Sequence, residues 1–322
     1  MVTRPGHGLL LFALAALASA PVAGRNVVLS NDNGLTSNVK AMYEAVKAEG
    51  HDVIVSVPCT GRSGMGGAIK IMRPLPALGA DCLHGASLKG DPGAGPMTRP
   101  GMGPDYFQVD GTPVMATLYG IDVAAAARWG KAPDLVLSGP NEGQNIGTIV
   151  VSSGTVSNVQ YAMMRGIPAI AISAGTGTTG GNDLSNPESV LVARRTLELL
   201  RLLDKRAGGG AMLPASVGLN VIFPDEPEAA SRQLARIGNH QGYEFRFVTD
   251  MAAAMGKPAG TAPPLPGLYG HRTQQLPSPS QKHDEATVSA TDSAVSVMQI
   301  AYDTPPATAR AIKRQLKDLL AN

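Results

Sequence analysis

Asn26-Val-Val-Leu-Ser30 runs directly into Asn31-Asp32-Asn33-Gly34, so a short apolar segment ends in four turn-forming residues. The apolar segment is the pattern of a buried strand. Beyond the turn, Val39, Met42, Tyr43 and Val46 recur at helical spacing, and Gly50 stands where a C-terminal cap belongs. Asp52 to Val57 is a second apolar strand. A strand–helix–strand unit of this kind predicts a parallel sheet with a right-handed crossover.

The alternation continues along the chain. Strands are expected at Asp134–Ser138, Pro168–Ser173, Val217–Phe223 and Ala294–Ala301. Helices are expected from about Thr155 to Arg165 and from Pro187 to Leu203, the second opened by a capping-box pair, Ser185 and Glu188. A last helix, Thr308 to Leu320, carries the apolar stripe Ile312, Leu316, Leu319 and Leu320. Gly79–Pro113 reads as a long excursion from the sheet, and Gly260–Ser280 as a Pro/Gly-rich break before the final strand. The expected class is α/β: a Rossmann-like three-layer α/β/α core with a mostly parallel sheet and a C-terminal hairpin and helix extension.

Composition narrows the function. Hydrophobic residues make up 43 % of 322 residues, enough for a sizeable core. The formal net charge is +2 and no Lys/Arg run forms a patch, which argues against a nucleic-acid polymer as partner. Aromatics at 4 % are too few for single-strand stacking platforms. No GxSxG elbow, GxxxxGK[ST] loop or HExxH pair is present. Gly175-Thr-Gly-Thr-Thr-Gly180 matches GxGxxG, but loop sequence follows where a dinucleotide site needs a helix. His283 beside Asp284 reads as a solvated loop histidine.

In a parallel α/β sheet, ligands bind beyond the carboxyl ends of the strands. Three polar clusters fall at such ends: Ser30–Gly34, Gly61-Arg62-Ser63-Gly64, and Ser138-Gly-Pro-Asn141-Glu-Gly143. A fourth, Ser152-Ser153-Gly154-Thr155, opens the following helix. Asp32 offers an acidic oxygen, and Asn33, Ser63 and Asn141 add neutral ones. Hard divalent cations choose such oxygens. Ser153, Gly154 and Thr155 place hydroxyls and N–H groups at a helix N-terminus, which favours an anion. Each residue also has a plain structural reading, as a turn, a cap or a helix start, and it is their convergence that points to a site.

These residues resemble the SurE family, the survival-protein nucleotidases and acid phosphatases. Ser30-Asn-Asp-Asn-Gly34 is similar to its SNDDG signature. Arg62-Ser63-Gly64, Ser138 to Gly147, Ser153-Gly-Thr-Val156, Asp110-Gly-Thr-Pro113 and Ala294-Val-Ser-Val297 follow in the family's order. The resemblance implies a metal-dependent phosphomonoesterase acting on nucleoside monophosphates. It implies Asp32 and Asn33 as catalytic residues, Asp32, Asn33, Ser63 and Asn141 as ligands of Mg²⁺ or Mn²⁺, and Ser153, Gly154 and Thr155 as phosphate-binding residues. It also implies a core over 26–232 and a segment, 233–322, that supports a homo-oligomer, a dimer or tetramer. The family has a second Asp where this chain has Asn33, which removes a negative charge and cannot act as a base. The alternative is therefore a non-catalytic exported relative that binds a nucleotide or phosphate.

Residues 1–20 read as a signal peptide. Arg4 precedes the apolar stretch Leu9–Ala18, followed by small residues through Ala20. The expected location is periplasmic or secreted, with no membrane attachment after cleavage. In such a compartment Cys59 and Cys82 can form one disulfide, or stay as two free thiols at a strand end and in a loop.

Overall fold

The computed structural model describes residues 24–300 and 306–316, except 259, 262 and 274. The leader and the last turns of the expected C-terminal helix lie outside the described residues. A nine-stranded sheet has the order β3-β4-β2-β1-β5-β6-β7-β11-β8. Its strands are β1 (Asn26–Ser30), β2 (Asp52–Pro58), β3 (Ala94–Pro96), β4 (Tyr106–Val109), β5 (Leu135–Glu142), β6 (Ala169–Ala174), β7 (Val217–Ile222), β8 (Arg232–Ala235) and β11 (Ser293–Gln299). The run from β4 to β7 is parallel throughout, and β3 and β11 join it antiparallel. Strands β9 (Tyr243–Val248) and β10 (Gly267–Arg272) form a separate antiparallel hairpin.

The central strands are apolar because both faces are covered. Val27 and Leu29 of β1 point to one face, where they pack with Val39, Met42 and Val46 of α1 (Ser37–Ala48) and Val192 and Leu200 of α5 (Pro187–Ala207). Val28 points to the other, with Val156, Val159 and Met163 of α4 (Gly154–Met164). The second face also holds Ile121, from the helical stretch that joins α2 (Pro113–Tyr119) to α3 (Ala125–Trp129), and Ala125 of α3. This is the Rossmann-like three-layer α/β/α arrangement.

Helix α1 follows the expected pattern, with Thr36 as N-cap and Gly50 at φ +85° beyond its end. Helix α5 differs at its start: the N-cap is Asn186, whose side chain accepts from Glu188 N, and not Ser185. It also runs four residues past Leu203, to Ala207. The Gly79–Pro113 stretch is no excursion, since β3 and β4 extend the sheet beyond β2. The Cys59–Cys82 disulfide, with Cα atoms 4.7 Å apart, ties its start to the end of β2. The boundary at Arg232 falls inside the sheet. Strand β8 begins there, and β11 returns to pair with β7 on one side and β8 on the other. The expected Pro/Gly break contains β10, the second strand of a hairpin that matches the expected C-terminal hairpin, while the α2–α3 helices have no counterpart among the expected elements. Helix α6 (Met251–Ala254) lies within the hairpin connection, α7 (Glu285–Val288) precedes β11, and α8 (Pro306–Gln315) follows it.

Candidate active site

The ends of β1, β2 and β5 and the start of α4 meet at one edge of the sheet. They form the floor of a cleft of about 610 Å³, lined by Asp32, Ser63, Asn141 and Ser153 among others. Asp32 lies two residues past the end of β1 and is buried. Its Oδ1 accepts from the Thr155 hydroxyl at 3.2 Å. Gly154 lies so close behind it that a Cβ there would sit 2.7 Å from Asp32 Cβ and 2.7 Å from Pro113 Cγ. Only glycine allows α4 to start this near β1.

Asn33, Ser63 and Asn141 are linked through their side chains. Ser63 Oγ donates to Asn33 Oδ1 at 2.5 Å, and Asn33 Nδ2 donates to Asn141 Oδ1 at 2.7 Å. The turn itself is local, because Asn31 Oδ1 accepts from Asn33 N at 2.9 Å. Arg62 N donates to Asp32 O at 2.7 Å, which fixes the second cluster to the first. In β5 the pairing with β6 shifts between Ser138 and Asn141, and this irregularity turns Asn141 towards the cleft. Gly139 sits there at φ +113°, where a Cβ would meet Ile172 O at 2.2 Å.

The three residues expected to bind phosphate are together but not equivalent. Ser153 is the N-cap of α4: its Oγ accepts from Val156 N at 3.1 Å, and it lines the cleft. Gly154 and Thr155 are buried behind Asp32. Burial raises the Asp32 carboxyl above its ordinary value, while the Thr155 hydroxyl and the N–H groups of Thr155 and Gly154 pull the other way. Among the described residues no ion pair reaches Asp32, so no charged side chain compensates its charge and only the Thr155 hydroxyl and backbone N–H groups support it. Among the same residues no three His, Cys, Asp or Glu groups are placed to hold a metal ion. A cation would therefore rest on one carboxylate and neutral oxygens. That oxygen-only set fits Mg²⁺ or Mn²⁺, and a buried carboxylate without a counter-ion is the group a cation would stabilise.

The opposite wall escaped the sequence reading. The hairpin brings Tyr243, Phe245 and Leu268 over the cleft. Its signal was the period-two alternation Tyr243-Glu-Phe245-Arg-Phe247. The GxGxxG loop is structural: Gly177 N donates to Glu142 Oε1 at 2.7 Å, and the Thr179 hydroxyl donates to Glu142 Oε2. His283 is exposed, and Asp284 is buried in hydrogen bonds of its own.

Fold and cleft together define an α/β protein with an oxygen-rich cleft at the carboxyl edge of a parallel sheet. Residues 27–244 match the family described as survival protein SurE, and the chain belongs to that family. It is 34 % identical over 212 residues to an acid phosphatase from Yarrowia lipolytica, covering 62 % of this chain and 56 % of that protein. It is 32 % identical over 225 residues to the 5'-nucleotidase SurE of Geobacter metallireducens, covering 69 % and 74 %. The chain thus spans between about half and three quarters of the length of the curated relatives it matches. The crystal structure of the SurE protein from Aquifex aeolicus shares the fold, with a TM-score of 0.62 at 22 % identity over 90 % of this chain and 98 % of that one.

Proposed function

We propose that this protein is a phosphoric monoester hydrolase that uses a divalent cation to cleave nucleoside monophosphates. The observation that carries this reading is the convergence of Asp32, Ser63, Asn141 and Ser153 on one cleft, with the Asn33 side chain bridging Ser63 and Asn141. The names of the relatives, 5'-nucleotidase and acid phosphatase, support it.

Asp32, Asn33, Ser63 and Asn141 would hold the cation, Mg²⁺ or Mn²⁺, which supplies Lewis acidity to a phosphoryl group. The Ser153 hydroxyl oxygen is occupied by Val156 N, so its proton is left to donate to a phosphoryl oxygen. The start of α4 adds a favourable field for that anion. Thr155 orients the Asp32 carboxylate from behind and is a positioning residue in this scheme. Asn33 cannot take a proton, so base chemistry falls to Asp32, whose burial strengthens its hold on one. Tyr243 and Phe245 line the same cleft and would pack against the leaving group of a bound substrate.

Export is part of the proposal, supported by the leader sequence and by a disulfide of the kind that persists in oxidising compartments. Among the described residues no helix is long and apolar enough to cross a membrane. A homo-oligomer is also proposed, supported by the exposed Phe245, Phe247, Leu265 and Leu268 of the hairpin region.

The second reading, a phosphate-binding protein without turnover, rests on Asn33. Phosphate release from an aryl phosphate and from a nucleoside monophosphate, with Mn²⁺ and after chelation, separates the two. Metal-dependent release supports the hydrolase. Binding of inorganic phosphate without release supports the second reading, and release undiminished by exhaustive chelation overturns the metal requirement.

A further inference from the structure

Glu285 opens α7, is fully buried, and takes no part in the chemistry above. Its carboxylate accepts three hydrogen bonds. Oε1 accepts from Gly147 N at 3.0 Å, and Oε2 from Asn220 Nδ2 at 3.0 Å and Ser296 Oγ at 2.9 Å. Gly147 belongs to the loop between β5 and α4, whose residues Gly143, Gln144, Asn145 and Ile149 line the cleft. Asn220 Nδ2 also donates to Asn145 O at 3.1 Å, so Glu285 holds that loop at two points, one direct and one through Asn220. The same helix supplies an apolar seat, because Ile146 packs in a small buried cluster with Ile222, Val288 and Ala294. Its first capping residue, Asp284, accepts from Asn239 N and His240 N at 3.0 Å each, and His240 O lies against Gly147.

An ionised carboxylate only accepts, and two of the three groups facing Glu285 are N–H donors. Protonation puts a fourth hydrogen into that set, and the new O–H needs an acceptor: Ser296 Oγ can take it by turning its own hydrogen away, and Asn220 Oδ1 can take it if the amide turns. Asn220 is the group with a reason to turn, since its Oδ1 is buried without a partner. Turning would offer Oδ1 to the Glu285 O–H and would take Nδ2 away from Asn145 O.

We propose that Glu285 is a positioning residue: as a carboxylate it clamps the Gly143–Val151 loop in its cleft-forming conformation, and as a carboxylic acid it lets the loop go. For catalysis this rests on the hydrolase reading, but the loop clamp itself does not. Burial pushes the Glu285 carboxyl up to about 7, Asp284 adds to the shift, and the Ser296, Gly147 and Asn220 donors oppose it. The charged and titratable groups nearby are Asp284 on the same element and Arg236 and His240 on the adjoining segment. Strands β7 and β11 and the loop present Asn220, Ser296 and the Gly147 N–H, none of which titrates.

The test is amide hydrogen exchange over Gly143–Val151, corrected for intrinsic rates and compared with β1 and β5, on the native protein and on Glu285→Gln. In the native protein, loop protection should fall as pH drops through about 7 while the strands stay protected. In Glu285→Gln the loop should exchange about tenfold faster at about pH 8.5, with no further dependence on pH. The folded carboxyl titrates above its unfolded value, so ionisation costs stability as pH rises through about 7. The variant's thermal midpoint at about pH 8.5 should therefore be no lower than native, which a plain packing defect would not give. With substrate, the native acidic limb near 7 should be lost in the variant. Unchanged loop protection in the variant, or native protection that ignores pH, overturns the clamp. A native protein that hydrolyses nothing overturns the hydrolase reading instead and leaves the exchange result to judge Glu285.

Discussion

Asp32 is buried with its charge unmatched, and Asn33 beside it carries none, so the site holds less negative charge than two carboxylates would give it. Two expectations follow from that shortage. The Asp32 carboxyl titrates above its unfolded value, so its charge costs stability as pH rises past that range. Replacing it by the near-isosteric Asn should leave the metal-free thermal midpoint at pH near 7 equal or higher, while abolishing the rise that Mn²⁺ gives the native protein. Midpoints in chelator and in Mn²⁺ check this, and an Mn²⁺ shift retained in Asp32→Asn would remove Asp32 from the metal site. Asn33→Asp should act in the opposite sense. Asn33 Nδ2 now donates to Asn141 Oδ1, and an aspartate there would set two oxygens against each other until a cation came between them. Coulomb attraction at ligand distance is worth several kcal/mol even at an effective dielectric near ~20, so Mn²⁺ affinity should rise at least about tenfold. Titration calorimetry at one pH and ionic strength measures it. Equal or weaker binding would show that residue 33 does not face the metal.

At the level of elements, the second cluster shows how a covalent tie serves the site. Cys59 directly follows β2, and the bridge to Cys82 closes a segment of sequence separation 23 that contains Arg62 and Ser63. Breaking it, by reduction or by Cys59→Ala with Cys82→Ala, should lower stability by about 3 kcal/mol and raise KM for substrate and metal, since Ser63 loses its anchored frame. Denaturant unfolding and steady-state kinetics of the oxidised and reduced forms test this, and identical curves would reject it. The sequence exposed β1, α1, β2 and β5 because both faces of these strands are covered and their apolar runs are unbroken. Strand β3 is three residues ending in Pro96, and it exists only because β4 offers a partner edge. No periodicity of its own could announce it. The floor of the cleft was legible for the same reason as the fold, because ligands gather where parallel strands end. Its walls were not, since Tyr243 and Phe245 reach the cleft only through the hairpin. Glu285 was equally hidden: its partners Gly147 and Asn220 lie 138 and 65 residues away in the chain.

In the molecule as a whole the hairpin is the part that the core leaves uncovered. The register pairs Tyr243 with Arg272, Gly270 with Phe245 and Leu268 with Phe247, so these six residues share one face. The Phe245 ring lies over Gly270, where a Cβ would be 2.5 Å from its Cε1. The base of this face closes the cleft, while Phe247 is 74 % exposed and Leu265 nearby is 61 % exposed. An apolar face that begins over the site and continues into solvent is the surface on which a second copy of the chain would be expected to dock. Deleting the C-terminal part is a poor test of this, because β11 lies between β7 and β8 and its loss would open the sheet. The informative change is Phe247→Ser with Leu265→Ser, since neither residue lines the cleft or packs in the core. Burying such a side chain contributes roughly 2 kcal/mol, and a two-fold axis doubles the pair to about 8 kcal/mol as an upper bound. Even a third of that weakens association about a hundredfold. Sedimentation over a concentration series should find the native protein as an oligomer and the double variant as a monomer at the same concentrations, with an intact far-UV spectrum. A native protein that sediments as a monomer throughout, or a double variant that assembles as before, would take the interface away from this face.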